Sequence, residues 1–197
     1  QLPADFEVRS RFYRFGSEGD GPFDCLVKIE ASLARAGFEP DPKTGRLSGK
    51  VALAGRVLDG RGDVVDTFGQ TVALGGTAEQ VEASRARMLP LARRLALPPG
   101  SYTVELVVRD VVSDKSSAKR LALTVPTPEG ALAMSSLVVV GAVEPADPKS
   151  DPTDPLRLAD QRIVPNLGQP VAASPGATLP IYYAVYVKPG AQDAVTA

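Results

Sequence analysis

The 197 residues carry 22 Lys and Arg against 23 Asp and Glu, a formal net charge of −1, with 44% hydrophobic residues. That balance supports a packed core and lacks the basic stripe that a phosphate backbone demands, so nucleic acid is not an expected partner. The longest apolar run, Leu137 to Val143, is far short of the ~18 residues of a membrane span, and no membrane insertion is expected.

In chain order the signals are mostly those of strands. Phe6 to Phe15 alternates, with Phe6, Val8, Ser10 and Phe12 on one face and Glu7, Arg9 and Arg11 on the other. Ser17 to Pro22 is a turn cluster. Phe23 to Ser32 predicts a second strand, with Phe23, Cys25, Val27 and Ile29 of one parity. Glu39 to Gly45 predicts a hairpin loop, Leu47 to Leu58 a third strand, and Val64 to Leu74 a fourth. Between the last two, Asp59-Gly60 is expected to supply the positive φ of a tight turn. From Thr77 to Leu89 the period changes to that of a short helix, with Thr77 and Gln80 as a capping box and Pro90 ending or kinking it, an extended segment crossing between sheets being the alternative.

Pro98, Pro99, Gly100 and Tyr102 form the sharpest local signal. A Pro-Gly turn entering a strand through Tyr predicts a tyrosine corner, in which Tyr102 hydrogen-bonds back to the preceding corner. Thr103 to Asp110 and Ala118 to Val125 are the next strands, on either side of a turn at Ser113 to Ser117. Pro126 to Gly130 reads as a linker. Beyond it lie a strand from Met134 to Val143, an aperiodic Pro- and Asp-rich passage over 144–155, a short strand at Arg162 to Pro165, and a strand from Leu179 to Val187. Both faces of that last strand are apolar, which predicts cover on both sides. Three strands in about 70 residues make a marginal core, so this second unit is expected to be incomplete or to lean on the first.

The chemistry of the chain is defined by what it lacks. Without His there is no Ser-His-Asp or Cys-His catalysis and no histidine-ligated metal. The single Cys25 excludes an internal disulfide and reads as a small apolar group in a strand. Asp147, Asp151 and Asp154 offer oxygen ligands without the spacing of a calcium loop and read as a solvated acidic linker. Asp114-Lys115-Ser116 begins like a metal-dependent adhesion motif but ends in Ala118 and reads as a turn. No catalytic residue, cofactor or metal is expected. Tyr182 and Tyr186 share a face and are the first candidates for a ligand surface, with core packing as their alternative use.

Phe23 to Ser32, Phe38 to Thr67 with its Asp-Gly-Arg-Gly-Asp turn, Leu95 to Tyr102, Val107 to Asp110, Leu123 to Pro126, Met134 to Val138, Arg162 to Asn166 and Leu179 to Tyr186 follow a familiar order. The chain resembles the C-terminal β region of bacterial, acidobacterial-type von Willebrand factor A-related proteins. The resemblance implies a secreted, periplasmic or envelope-associated protein with a binding or scaffolding role. It carries over no adhesion-site residue, because the A domain of such proteins lies upstream.

The combined expectation is a mainly β protein. Residues 1–126 form an immunoglobulin-like, Greek-key β-sandwich with one short helix, and residues 127–197 a second, partial β unit. The first residues lack the basic start and apolar stretch of a signal peptide, and the chain is expected to be one module of a larger exported protein. Its expected function is non-catalytic, with other domains of its parent or a protein as partner. A carbohydrate-binding module is the alternative, weakened by the absence of Trp and an aromatic content of 6%.

Overall fold

The computed structural model describes residues 2–16, 21–127, 132–171, 174 and 176–187. The fold is mainly β and β-sandwich-like, built of antiparallel sheets with one short helix among the described residues. Two compact units divide the chain. Unit 1 comprises Gln1–Phe12, Val27–Arg93 and Pro99–Pro126, and unit 2 comprises Tyr13–Leu26, Arg94–Pro98 and Thr127–Ala197.

Three strands form one sheet in the order β1 (Val8–Arg14), β2 (Phe23–Ser32), β6 (Met88–Leu97). A second sheet contains β3 (Glu39–Pro40), β4 (Leu47–Asp59), β5 (Val64–Gly76), β7 (Gly100–Asp110) and β8 (Ser116–Val125), with β4 lying between β5 and β7. Within unit 1, alternation does the sorting. Val51, Leu53 and Val57 of β4, Val104, Leu106 and Val108 of β7, and Leu123 and Val125 of β8 are buried, as are Val27, Ile29 and Ala31 of β2. Each larger aliphatic side chain so buried contributes about 1.5–3 kcal/mol. On the opposite parity Arg56, Glu105 and Arg120 stand directly across β4, β7 and β8 as a charge ladder. The two guanidiniums hold the Glu105 carboxyl below its usual range, Arg56 first.

The N-terminal segment serves both sheets. Ala4 bridges to Ser117, and the buried Ser117 hydroxyl donates to Phe6 O at 2.7 Å and accepts from Phe6 N at 3.0 Å. The chain then enters β1 beside β2. The helix α1 (Ala78–Ser84) starts at the expected capping box, with Thr77 and Gln80 bonded reciprocally. It ends earlier than its periodicity predicted, because Met88 and Leu89 belong to β6. Pro90 sits inside that strand, where the sheet edge tolerates its missing N–H. In the β4–β5 turn the positive φ falls on Gly62 (φ +89°) and not on Gly60. The Asp59 carboxylate accepts the N–H groups of Arg61 and Asp63 and fixes the turn from its start.

In unit 2 the remaining strands form two small antiparallel sheets. One has the order β11 (Arg157–Leu158), β12 (Gln161–Pro165), β10 (Val138–Pro145), β13 (Ile181–Tyr182). The other pairs β14 (Val185–Val187) with β9 (Leu132–Met134). The expected Met134–Val143 strand is therefore broken. At the break Ser136 N donates to Arg14 O while the Ser136 hydroxyl accepts from Arg14 N, Ser135 N donates to Ala184 O while the Ser135 hydroxyl accepts from Ala184 N, and the Arg14 guanidinium donates to Met134 O at 2.8 Å. The expected Leu179–Val187 strand is broken too, and its predicted two-sided cover is absent. Leu179, Ile181, Tyr183, Val185 and Val187 are all 42–53% exposed, and only the other parity is partly buried.

The core of unit 2 is Tyr13, Phe15, Leu26, Val138, Leu156, Ile163 and Leu167. Three of these seven lie before residue 27, so this unit differs from the contiguous 127–197 segment read from the sequence. The reason is visible in β1. The buried parity runs through Val8 and then shifts, so that Tyr13 and Phe15 are buried and Phe12 is only half-buried.

The 144–155 passage is ordered by turn chemistry. β10 reaches Pro145, and then Asp147, Asp151 and Asp154 each precede a proline. Each carboxylate accepts the N–H two residues on, from Lys149, Thr153 and Leu156 at 2.8–3.0 Å. Asp41-Pro42-Lys43 repeats the device in unit 1. Proline fixes φ at the first turn position while the side chain mimics a backbone turn.

Two outcomes are expected. Residues 127–197 expressed alone do not fold, since Tyr13, Phe15 and Leu26 are missing from their core. A dispersed amide spectrum of that fragment would contradict this. The second concerns Asp110, buried at 4% exposure, whose carboxylate accepts from Gly37 N, Val112 N, Ser113 N and the Ser113 hydroxyl. Burial alone raises its pKa, but the hydrogen bonds, led by Gly37, outweigh burial and leave it below the ordinary value. A carboxylate depressed in the folded state stabilises fully above its unfolded pKa of about 3.9, and that stability is lost as pH falls through the folded value. Asp110→Asn therefore costs about 1–3 kcal/mol at pH 7, and the gap to the parent closes toward pH 3. Urea melts at both pH values check this, and an unchanged gap would refute the charge account.

Candidate functional site

The turn of Pro98 and Pro99 ends β6 and opens β7 at Gly100. Tyr102 is 8% exposed and lies so close to Gly100 that a Cβ there would stand 3.2 Å from the phenol oxygen. The Tyr102 ring is thus part of the scaffold at this corner.

Tyr182 and Tyr186 both pack partly buried against the core of unit 2, from β13 and β14. The Tyr182 hydroxyl donates to Pro155 O at 2.9 Å. Burial, then the neighbouring Tyr186 and Asp154, push its pKa up. Tyr186 differs, because it lines a groove. Its ring lies on the backbone of Gly16, where any side chain would run into the ring, so this close approach requires glycine.

The groove holds about 860 Å³, and Phe15, Asp24, Arg94, Thr153 and Pro155 also line it. Its polar wall is held in place by an interlocking set of bonds. Arg94 grips Asp24 with two parallel bonds of 2.7 Å, Nε to Oδ1 and Nη2 to Oδ2. Its Nη1 donates to Thr153 Oγ1 at 2.6 Å and to Asp151 Oδ2 at 3.1 Å. Thr153 in turn donates its hydroxyl to Asp151 Oδ1 at 2.7 Å. Asp24 is set by β2, where its backbone pairs with Phe15 and Gly16. Thr153 is set by the Asp151-Pro152 turn. The Asp24 hydrogen bonds raise the Arg94 pKa, and the Thr153 hydroxyl and N–H, with Arg94, hold Asp151 below the usual carboxylate range. Both groups stay charged across the neutral range.

Other candidates are placed elsewhere. Asp147, Asp151 and Asp154 each serve their own turn, and among the described residues no group of three or more His, Cys, Asp or Glu is arranged to hold a metal. Asp114 has φ +58° in the β7–β8 turn and pairs with Arg109. No helix among the described residues is long and apolar enough to cross a membrane. Sequence reasoning missed Asp24, Arg94 and Thr153 as neighbours. Nothing local links them, since they lie 70 and 59 residues apart.

Neither a family model nor a curated protein sequence matches the chain. Among solved structures it is similar to Bacteroides uniformis β-glucuronidase, with a TM-score of 0.39 and 9% identity. That match covers 59% of this chain and 13% of the other. What the strands themselves define is a mainly β, β-sandwich-like fold.

Cys25 follows Asp24 in β2 and is fully buried. Burial and then Asp24 push its thiol up to about 12, against a smaller opposing effect of Arg14. Iodoacetamide at pH 8 is expected to leave the native protein unlabelled and to alkylate it fully in urea. Rapid native labelling would show that the strand opens.

Proposed function

We propose that this chain is a non-catalytic β-sandwich accessory module of a larger secreted or envelope-associated bacterial protein, working through protein contacts. The supporting observation is the exposed apolar face of unit 2. Leu132 and Met134 of β9 stand opposite Val187 and Val185 of β14, and all four are 42–53% exposed, as is Ile181. Clustered apolar side chains left to water are the usual mark of an interaction surface. The resemblance to von Willebrand factor A-related proteins supports the same setting.

A second reading, carbohydrate binding, is supported by the groove at Tyr186, which combines an aromatic ring with a fixed carboxylate, guanidinium and hydroxyl.

A photo-crosslinking residue at Val185 tests the first reading in the source cells. The expected result is a crosslink at Val185 to a further domain or partner, and none from the exposed Thr71 of β5. An antibody to the chain is expected to find it in the envelope or medium, in a band well above 20.6 kDa. Equal crosslinking from both positions, or a cytosolic band near that mass, would overturn the proposal.

A further inference from the structure

We infer that the groove of unit 2 is a binding site for a neutral oligosaccharide, an assignment that rests on the carbohydrate-binding reading and gives it a place and a ligand class. Four features carry it. The volume of about 860 Å³ suits a ligand of several sugar rings. Tyr186, half-buried over the core residue Phe15, gives the groove an aromatic ring against which the C–H face of a sugar can pack. Asp24, Arg94 and Thr153 present a carboxylate, a guanidinium and a hydroxyl on one wall. With the Arg94 donors and the Thr153 proton engaged inside the wall, the lone pairs left on the Asp24 carboxylate and the Thr153 hydroxyl accept from the hydroxyls of a pyranose. The wall is also preorganised, because the bidentate Asp24–Arg94 pair and the Thr153–Asp151 bond fix each group before a ligand arrives. Little ordering entropy is then left for binding to supply.

Charge selects the class of sugar. One guanidinium faces the two carboxylates of Asp24 and Asp151, so the local balance is negative. Arg94 has its donors engaged by those carboxylates and Thr153. A uronate or sulfated sugar would meet uncompensated repulsion, and a neutral one would not.

The test is an amide-resolved NMR titration of the full chain with neutral hexasaccharides of glucose, xylose, mannose and galactose, and with hexagalacturonate as the acidic probe. The expected result is saturable binding of a neutral hexasaccharide, with shifts centred on Ala96, Thr153 and Tyr186. Tyr186→Phe and Thr153→Val should each weaken it about three- to tenfold, the worth of one hydrogen bond. Tyr186→Phe keeps the ring packed, so lost folding does not confuse the result. If no sugar binds, both this assignment and the carbohydrate reading fall. If a sugar binds with shifts elsewhere and both variants bind as the parent does, the groove assignment falls and the broader reading stands. Preference for hexagalacturonate would overturn the charge argument.

Discussion

Everything in unit 2 depends on where its core residues come from. Between Thr127 and Val187 the described chain contributes four buried core members, Val138, Leu156, Ile163 and Leu167. Four aliphatic side chains make a small core for a segment of that length, whose ordering costs backbone entropy at every residue. Tyr13, Phe15 and Leu26 supply the large side chains that are missing. They do so because β1 and β2 run past Phe12 and Val27 into unit 2, and because β1 changes its buried parity on the way. The same extension brings Arg14 to the β9–β10 break and places Gly16 beneath Tyr186. The groove is a consequence of this shared construction. Residues of the early strands and of the late loops line it together.

The late loops are made rigid by a repeated local device. In 147–157 three Asp-Pro pairs each make a turn in which the carboxylate accepts a backbone N–H and the carbonyl closes the turn behind it. Proline lowers the entropy of the unfolded chain at each turn. Asp supplies the acceptor that a passage without a strand ladder would otherwise lack. The middle turn also aims Thr153 at Arg94. A stretch that reads as an acidic linker therefore carries one wall of the groove.

Period-two alternation made the large strands legible. β2 matches its predicted span from Phe23 to Ser32, and β4, β5, β7 and β8 differ by one to three residues at their ends. The capping box at Thr77 and Gln80 was equally plain, because a cap is a local bond between residues three apart. β6 was hidden by Pro90, which argues against a strand unless that strand lies at an edge, and edge position is a property of the sheet and not of the sequence. The breaks at Ser135–Leu137 and Tyr183–Ala184 were hidden for a related reason. Alternation persists through both, and what interrupts pairing is hydrogen bonding to Arg14 and between Ser135 and Ala184, residues far apart in the chain.

The candidate site was half legible for the same physical cause. Tyr186 stood out as an aromatic on a strand. Its partners did not, because Gly16, Asp24, Arg94 and Thr153 are each unremarkable in their own segments. Asp24 reads as the polar side of an alternating strand, Arg94 as one of two adjacent arginines, and Thr153 as a turn residue. Only the pairing of Phe15 and Gly16 with Asp24 and the fork of Arg94 onto its carboxylate turn them into one surface. A fork of this kind is specific in geometry but modest in stability, since Arg94 remains 42% exposed and solvent screens the pair. Stability alone gives a weak reason for four groups to be locked together at the mouth of a groove. Binding of the ligand proposed for the groove would use all four.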